Sequence, residues 1–282
     1  KNLSVLRNLS LAFYYDNNLE QAEIILKKII LLNKKEPNAL TMLILILEDQ
    51  DKIDEAKKYI DIGLSEKILD QHWKIKKKLI LPTIFKNLKD IADSRRELEK
   101  SIDVILNSDE TTSLDIDVQL IKPVQFDLSY NQYDNLEINK KCISFFRKIY
   151  PQLNKANSLK KVSSSKINIG FISEYLTDHT IGKLFKGIIL NLDKNQFDIK
   201  VFHTAKTKKG KIYQDFIDSE KTGQIKNFIL PVKFNEKQKV IYNENLDILF
   251  YPEIGLSLEL YYLSFIKLAS YQITSWGHPE TT

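Results

Sequence analysis

The chain has 282 residues, of which 43% are hydrophobic, and it carries a formal net charge of +5 at pH 7. This length is enough for two domains with buried cores, and the composition is typical of a globular protein. The longest apolar runs, such as the one at 43–47, are far too short to span a bilayer. The N-terminus alternates polar and apolar residues, which is not the pattern of a signal peptide. The chain lacks an initiator methionine and stops at Thr282, so we expect it to be shortened at both ends.

The positive charge does not indicate nucleic-acid binding. Lysine supplies almost all of it, whereas arginine is the usual residue for bidentate contacts with phosphate or guanine. The chain contains only four arginines, which are Arg7, Arg95, Arg96 and Arg147. The basic run at 206–211 is predicted to be a solvated loop. We therefore expect no nucleic-acid partner and no membrane span.

Cysteine usage excludes two kinds of site. The single cysteine, Cys142, allows neither an internal disulfide nor a thiolate metal site. It lies in an amphipathic stretch at 135–150 and is predicted to be a buried structural thiol. A cytoplasmic location is compatible with this pattern and is our expectation.

The N-terminal part is predicted to be helical and contains a repeat. Apolar positions in one copy recur 34 residues later: Leu9, Phe13, Ala22 and Leu26 correspond to Leu43, Leu47, Ala56 and Ile60. A helix–turn–helix repeat of this period resembles the tetratricopeptide repeat, in which small residues let paired helices pack closely. We assign residues 1–70 to such repeats and 71–160 to a helical connecting region. Two copies are few for a free-standing array, so we expect either further repeats upstream or docking of the array on the neighbouring domain. The alternative to a repeat is that these residues form two unrelated amphipathic helical hairpins whose sequences match by chance.

After a polar linker at 154–166, the pattern changes to strands that alternate with helices. The predicted strands are 167–173, 197–204, 227–232, 246–252 and 271–276, and the predicted helices are about 181–192, 211–220, 235–244 and 258–269. This spacing is typical of a parallel sheet with right-handed crossovers. The predicted fold class is therefore α plus α/β, with a Rossmann-like lobe at 161–282. We predict strand order 3-2-1-4-5, with the switch point between the first and fourth strands.

Three loops of this lobe follow strands one, four and five and meet at one edge of the predicted sheet. They supply the candidate ligand-contacting residues Asp178, His179, Thr180, Glu253, Gly255, Gly277, His278 and Pro279. Helix starts at this edge favour anionic or sugar-phosphate ligands. His179 is the main catalytic candidate, because imidazole acts as a base or binds a polar group near neutral pH.

Each candidate also has a structural interpretation. In this interpretation, Asp178 or His179 only caps a helix that begins near Ile181, and residues 277–279 form an ordinary turn without a ligand. His203 is interpreted as a strand-end surface residue, and His72 is predicted to pack beside Trp73 in the helical region.

Other kinds of site have little support in the sequence. Asp178, His179, Glu174 and His278 could cluster around a metal, but no HxxxH or HxH pair is present, so no metal site is predicted. The first strand lacks GxGxxG, which argues against a dinucleotide site. GxSxG and GxxxxGK[ST] are also absent, which argues against serine hydrolases and P-loop proteins.

Several segments carry a family resemblance. They are 81–91, 126–141, 167–189 and 246–282, and the most specific parts are DHTIGKLF (178–185) and WGHPETT (276–282). They resemble the bacterial, repeat-containing branch of the O-linked N-acetylglucosamine transferase family, the SPINDLY-like protein glycosyltransferases. The resemblance implies that 161–282 is the first, acceptor-side lobe of a two-lobed GT-B fold, and that the nucleotide-binding lobe is missing.

The resemblance also implies functions for individual residues. His179 matches an active-site histidine, and Gly277, with His278 and Pro279, matches a turn that approaches the transferred sugar. Glu253 and Gly255 border the cleft by similarity. The implied reaction moves a sugar, N-acetylglucosamine in this family, from a uridine diphosphate donor to Ser or Thr of a polypeptide. The polypeptide would bind to the repeats, and the reaction would use no metal or cofactor.

The sequence departs from this branch at three positions. The branch usually has Asp at the position of Glu253, Arg at Lys267 and Pro at Ser270. These differences are compatible with the fold, and they bear on whether activity is intact. The alternative hypothesis is a repeat-type protein-interaction module with a non-catalytic α/β lobe.

Overall fold

The structure is a computed structural model that describes residues 2–108, 113–118, 121–155 and 165–277. The chain divides into two compact units, residues 1–112 and 113–282. The connecting region predicted at 71–160 therefore includes residues of both units. None of the helices in the described ranges is both long and apolar enough for a bilayer span.

The first unit is helical. Its elements are α1 (Leu3–Tyr15), α2 (Leu19–Leu32), α3 (Pro37–Asp49), α4 (Ile53–Ser65), α5 (Gln71–Leu79) and α6 (Leu88–Leu106). Asn17 and Asp51 occupy the α1–α2 and α3–α4 turns with φ of 57° and 58°, the left-handed region that Asn and Asp tolerate best among non-glycine residues. The repetition in the sequence therefore appears as two helical hairpins with the same turn conformation.

Burial in this unit follows the repeat in the second helix of each copy but not in the first, where Leu9 and Phe13 are less buried than Leu43 and Leu47. Ala22, Leu26, Ala56 and Ile60 are all fully buried, which lets the paired helices approach closely. In contrast, Leu9 is 42% exposed, although its counterpart Leu43 in the second copy is fully buried. The reason is position, because α3 packs between α2 and α4.

The second unit contains a five-stranded parallel sheet. Its elements are α7 (Gln125–Ser129), α8 (Leu136–Ile149), a 3₁₀ turn (Pro151–Asn154), β1 (Ile167–Ile172), α9 (Thr180–Asn191), β2 (Phe197–His203), α10 (Lys211–Lys221), β3 (Lys226–Ile229), α11 (Phe234–Asn243), β4 (Leu246–Glu253), α12 (Leu258–Leu263) and β5 (Ala269–Gly277). The order is β3-β2-β1-β4-β5, and every neighbouring pair is parallel. The predicted fold class and strand order are confirmed.

Two ends differ from the sequence prediction by three residues or more: β3 ends at Ile229 rather than 232, and the last helix is shorter than expected. The last helix was predicted to extend to 269, but α12 ends at Leu263 and β5 begins at Ala269. The Gln272 side chain accounts for the turn between them, because its oxygen accepts from the Leu268 amide at 2.6 Å and its nitrogen donates to the Ser264 carbonyl at 3.1 Å. A side-chain bond of this kind satisfies backbone groups that a longer helix would have paired.

The described residues of this unit include two hydrophobic groups. Phe171, Phe185 and Phe216 belong to the core that α9 and α10 share with the sheet. A second group, from α8 and α12, is aromatic: Phe146 lies edge-on to Tyr262, 5.3 Å between ring centroids, and Tyr150 lies 5.3 Å from the same ring. Each such side chain contributes about 2 kcal/mol on burial. Cys142 is 1% exposed, so the predicted buried thiol is confirmed.

Candidate functional site

The candidate site lies at the edge of the sheet where β1, β4 and β5 end. Because β1 pairs with β4 and β4 pairs with β5, all in parallel, their carboxyl ends are neighbours. The chain leaves β1 toward β2 on one side and reaches β4 on the other, so the crevice between β1 and β4 is the switch point of the sheet. The sequence prediction of this point is confirmed by the strand order. We refer to the loop residues 173–180 and 254–257, together with Gly277, as the rim.

Glu253, the last residue of β4, joins the two loops of the rim. The Ser173 hydroxyl donates to its Oε1 at 3.1 Å, and the Leu256 amide donates to its Oε2 at 3.2 Å. Next to this pair, the Ser257 hydroxyl donates to Glu174 Oε2 at 3.0 Å. These bonds connect the loop after β1 directly to the loop after β4, which also contains Gly255.

The Glu253 carboxyl group is fully buried. Burial raises its pKa to about 7; the bonds from Leu256 and Ser173 oppose the rise, and the Glu174 charge adds to it. A carboxyl group in this state exchanges a proton near neutral pH. Its two hydrogen bonds fix its position, so it stabilises the rim rather than facing solvent.

Gly277 lies beside Glu253 at the end of β5. The two residues are paired in the sheet, and the Ile254 amide donates to the Gly277 carbonyl at 3.2 Å. A Cβ atom at Gly277 would lie 2.6 Å from the Glu253 Cβ and 2.8 Å from its Cα, and it would also meet the Pro252 carbonyl. Glycine is therefore required here for the close approach of β5 to β4. His278 and Pro279, the other residues of this predicted turn, lie outside the described residues.

His179 caps helix α9. Its Nδ1 accepts a hydrogen bond from the Ile181 amide at 3.2 Å, with extended backbone at the cap position. The imidazole packs against the Tyr175 ring, 4.7 Å between centroids. His179 is half-buried, and Thr180, the first residue of α9, is exposed. The helix-capping interpretation of this loop is therefore correct for His179, and the ring remains accessible.

Asp178 contacts a different helix from the one the sequence suggested. Its two carboxylate oxygens accept from the Lys211 and Ile212 amides, at 2.9 and 2.8 Å, at the start of α10. Hydrogen bonds from the Ile212 and Lys211 amides lower the pKa of Asp178, which is exposed and remains ionised. Asp178 thus fixes the β1 loop to the β2 loop.

An ion-pair group at the same edge was missed by sequence reasoning. Glu259, in the first turn of α12, accepts from Lys206 at 2.7 Å and from Lys237 at 2.7 Å. Burial opposes ionisation of Glu259, but the two lysines outweigh it and lower its pKa. Lys237 is 3% exposed and also donates to the Val232 carbonyl at 2.6 Å. The three residues lie far apart in sequence, so no local pattern indicates the group, and Lys206 was assigned to a solvated loop.

One histidine prediction is wrong and another is confirmed. His203 was interpreted as a surface residue, but it is fully buried, because Tyr213 and Phe216 of α10 cover the end of β2. Its Nε2 lies 3.1 Å from Asn227 Oδ1, and burial lowers its pKa to about 4. His72 packs edge-on against Trp73, as predicted.

Asp178 and Glu174, two of the candidate metal ligands, bind other groups in the structure. Within the four described ranges, no three His, Cys, Asp or Glu side chains are grouped closely enough to bind an ion. Among the residues weighed for such a site, Asp178 is bonded to backbone amides, Glu174 to Ser257, and His278 lies outside those ranges. No metal ligand set is assigned.

The Tyr175 side chain extends the contacts across the rim. Its hydroxyl donates to the Leu256 carbonyl at 3.3 Å, and its amide binds the Ser173 hydroxyl at 2.9 Å. Contacts therefore run without a break from His179 through Tyr175 and Leu256 to Glu253 and Gly277. The described residues among these candidates, which come from three separate loops, lie at one edge of one sheet.

Comparison with known proteins gives the fold a counterpart. A solved structure of a mutant O-GlcNAc transferase from Thermobaculum terrenum matches 96% of this chain, with a TM-score of 0.52 and 12% sequence identity. The match covers 50% of that chain, so the present chain spans about half the length of the solved one. No protein-family model and no curated protein matches the sequence. The chain therefore has the fold of the corresponding half of an O-GlcNAc transferase: helices followed by a parallel sheet flanked by helices.

Proposed function

We propose that this chain is the acceptor-side half of a GT-B glycosyltransferase. The enzyme moves a sugar, N-acetylglucosamine, from a uridine diphosphate donor to Ser or Thr of a protein. The observation that carries this proposal is the meeting of His179, Glu253 and Gly277 at the switch-point edge of a sheet that matches an O-GlcNAc transferase. Ligands of open α/β sheets bind at this edge.

In this proposal the residues of the rim have different tasks. His179 is the catalytic residue and contacts the reacting groups, as base or as hydrogen-bond partner. Thr180, Gly255, Gly277, His278 and Pro279 line the sugar or acceptor. Glu253 acts through position, since its carboxyl group is bonded within the rim. Asp178 does so as well, since its carboxylate binds the start of α10.

The partners follow from the same proposal. The acceptor polypeptide binds along the helical array, whose paired helices resemble a protein-binding repeat. The uridine diphosphate sugar binds only together with a second lobe, and no metal or further cofactor takes part. The leaving diphosphate is stabilised by that lobe and by helix N-termini at the edge of the sheet.

A second candidate function is a protein-interaction module with a non-catalytic lobe. The observation that favours it is the pair of helical hairpins in the first unit, which share one turn conformation and resemble protein-binding repeats. The gene sequence discriminates between the candidates. A second Rossmann-like lobe with a lysine and histidine pair supports the enzyme, and its absence supports the interaction module.

The experiment uses the protein as encoded, from its natural start to its stop codon, with labelled uridine diphosphate N-acetylglucosamine. We expect transfer to protein, and a loss of roughly 100-fold or more in His179→Ala, the size expected for a catalytic proton donor or acceptor. The matched control is Lys221→Ala at the far end of α10, where the lysine is paired with Asp218 and is largely exposed. Equal rates in His179→Ala and the parent would refute the assigned role. Absence of transfer by the parent would favour the interaction module.

A further inference from the structure

Tyr175 is the one aromatic residue of the rim that contacts His179 directly. Its ring lies 4.7 Å from the imidazole, with 42° between the planes, and its hydroxyl donates to the Leu256 carbonyl at 3.3 Å on the opposite side of the crevice. The Ser173 hydroxyl accepts from its amide at 2.9 Å. Both the backbone and the side chain of Tyr175 are thus fixed by neighbours. No local sequence pattern indicates a function for this residue.

The second constraint on His179 comes from its own helix. The Ile181 amide donates to Nδ1 at 3.2 Å, so the lone pair of Nδ1 is in use. A neutral imidazole carries its proton on the other ring nitrogen when one nitrogen accepts a hydrogen bond. No described residue forms a hydrogen bond with Nε2. In this tautomer Nε2 carries the hydrogen and can donate it to a ligand.

We propose that Tyr175 is a positioning residue: its ring and the Ile181 amide together fix the His179 imidazole so that it presents an N–H donor, not a base, to the ligand. The nature of the ligand rests on the proposed function; the oxygen that receives this hydrogen belongs to the sugar or to its diphosphate. In this arrangement Nε2 has no lone pair with which to remove a proton from the acceptor hydroxyl.

The first test measures hydrogen exchange of the Ile181 amide in the 282-residue chain. Loss of an N-cap costs about 1 kcal/mol, which is roughly a fivefold increase in local opening. We expect this increase in His179→Ala, and no increase in His179→Asn, because an asparagine oxygen also caps a helix. Tyr175→Leu removes the ring and the hydroxyl and is expected to increase exchange about as much as His179→Ala. Tyr175→Phe keeps the ring and is expected to have a smaller effect.

The outcome that overturns the positioning role is equal protection of the Ile181 amide in Tyr175→Leu and the parent. Circular dichroism and exchange at the Ile199 and Val201 amides of β2 separate a local effect from unfolding. If these amides lose protection as well, Tyr175→Phe becomes the deciding variant. It must then weaken Ile181 protection while the β2 amides stay protected.

The second test reads the position of the proton. In a chain labelled with ¹⁵N-histidine, long-range proton–nitrogen spectra near neutral pH assign the hydrogen to one ring nitrogen, and the signals missing in His179→Asn identify residue 179. We expect the hydrogen on Nε2 and a bare Nδ1. A hydrogen on Nδ1 would refute the donor role.

Neither test depends on sugar transfer, so the two proposals fail separately. If the encoded protein transfers no sugar, the proposed function fails while the ring-nitrogen result stands. If transfer occurs, Tyr175→Phe is expected to lower kcat with little change in KM for the acceptor, because the hydrogen bond from His179 Nε2 forms at the reacting centre. An increase in KM alone would overturn the assignment.

Discussion

Two carboxyl groups at this edge of the sheet have opposite environments. Asp178, on the β1 side, is exposed, and two backbone amides of α10 lower its pKa. Glu253, on the β4 side, is fully buried, and burial raises its pKa to about 7. On the β1 side, the His179 ring and the Thr180 hydroxyl at the start of α9 remain accessible. On the β4 and β5 side, Glu253 and Gly277 are packed tightly and support the rim. A ligand at this edge would meet the first and rest on the second.

The strongest test of the packed side is Gly277→Val. The added atoms would meet backbone at Pro252 and Glu253, which has little room to move, so β5 would separate from β4. We expect a loss of about 3 kcal/mol or more in unfolding free energy, at the upper end for an overpacked core position. Urea unfolding followed by Trp276 fluorescence in a Trp73→Phe background measures it in the second unit. The control is Gly187→Ala, at an open helical position, which is expected to stabilise by about 0.5 kcal/mol or more. Equal stability of Gly277→Val and the parent would show that the β4–β5 contact is not tight.

The buried carboxyl group itself gives the second prediction. Because its folded pKa of about 7 lies above the unfolded value near 4.5, Glu253 contributes stability that is fully present below pH 4.5 and is lost as pH rises toward and through 7. The loss amounts to at most about 3 kcal/mol. We expect Glu253→Gln to remove this part of the pH dependence and to be more stable than the parent above pH 7. Unfolding curves between pH 4 and 8 test it.

A matched control for Glu253 lies at the same edge. The pKa of Glu259 is lowered by its lysine partners, so Glu259→Gln should destabilise at neutral pH, the opposite direction to Glu253→Gln. If both variants change stability in the same direction, burial is not what distinguishes the two groups.

His203 extends the comparison to β2. Its folded pKa of about 4 lies below the ordinary value of 6.5, so its contribution to stability is present above pH 6.5 and is lost as pH falls toward 4. The size is again at most about 3 kcal/mol, and the direction is opposite to that of Glu253. We expect His203→Gln to flatten the acid side of the stability profile while keeping a partner for Asn227. An unchanged acid slope in this variant would show that the ring is not neutral in the folded protein.

The sequence predicts the fold of this chain better than it predicts the environment of single residues. Strand order and the switch point follow from alternating segments such as 167–173 and 246–252, because crossover handedness leaves few alternatives. The burial of His203 could not be predicted, since it depends on where α10 crosses the end of β2. The Glu259 pairs and the Tyr175–Leu256 bond join residues that only tertiary packing brings together.

The smallest effect is expected at Asp178, the exposed carboxyl group in the loop after β1. Asp178→Ala removes the acceptor for the Lys211 and Ile212 amides at an exposed helix start. Water then replaces the carboxylate as the hydrogen-bond acceptor, so we expect faster hydrogen exchange at these two amides and little change in overall stability. Asp178→Asn keeps one acceptor oxygen and is expected to fall between Asp178→Ala and the parent. If Asp178→Ala instead lowered global stability as much as Gly277→Val, the β1 side would be as tightly packed as the β4 side. The division of the rim into an accessible and a supporting half would then be wrong.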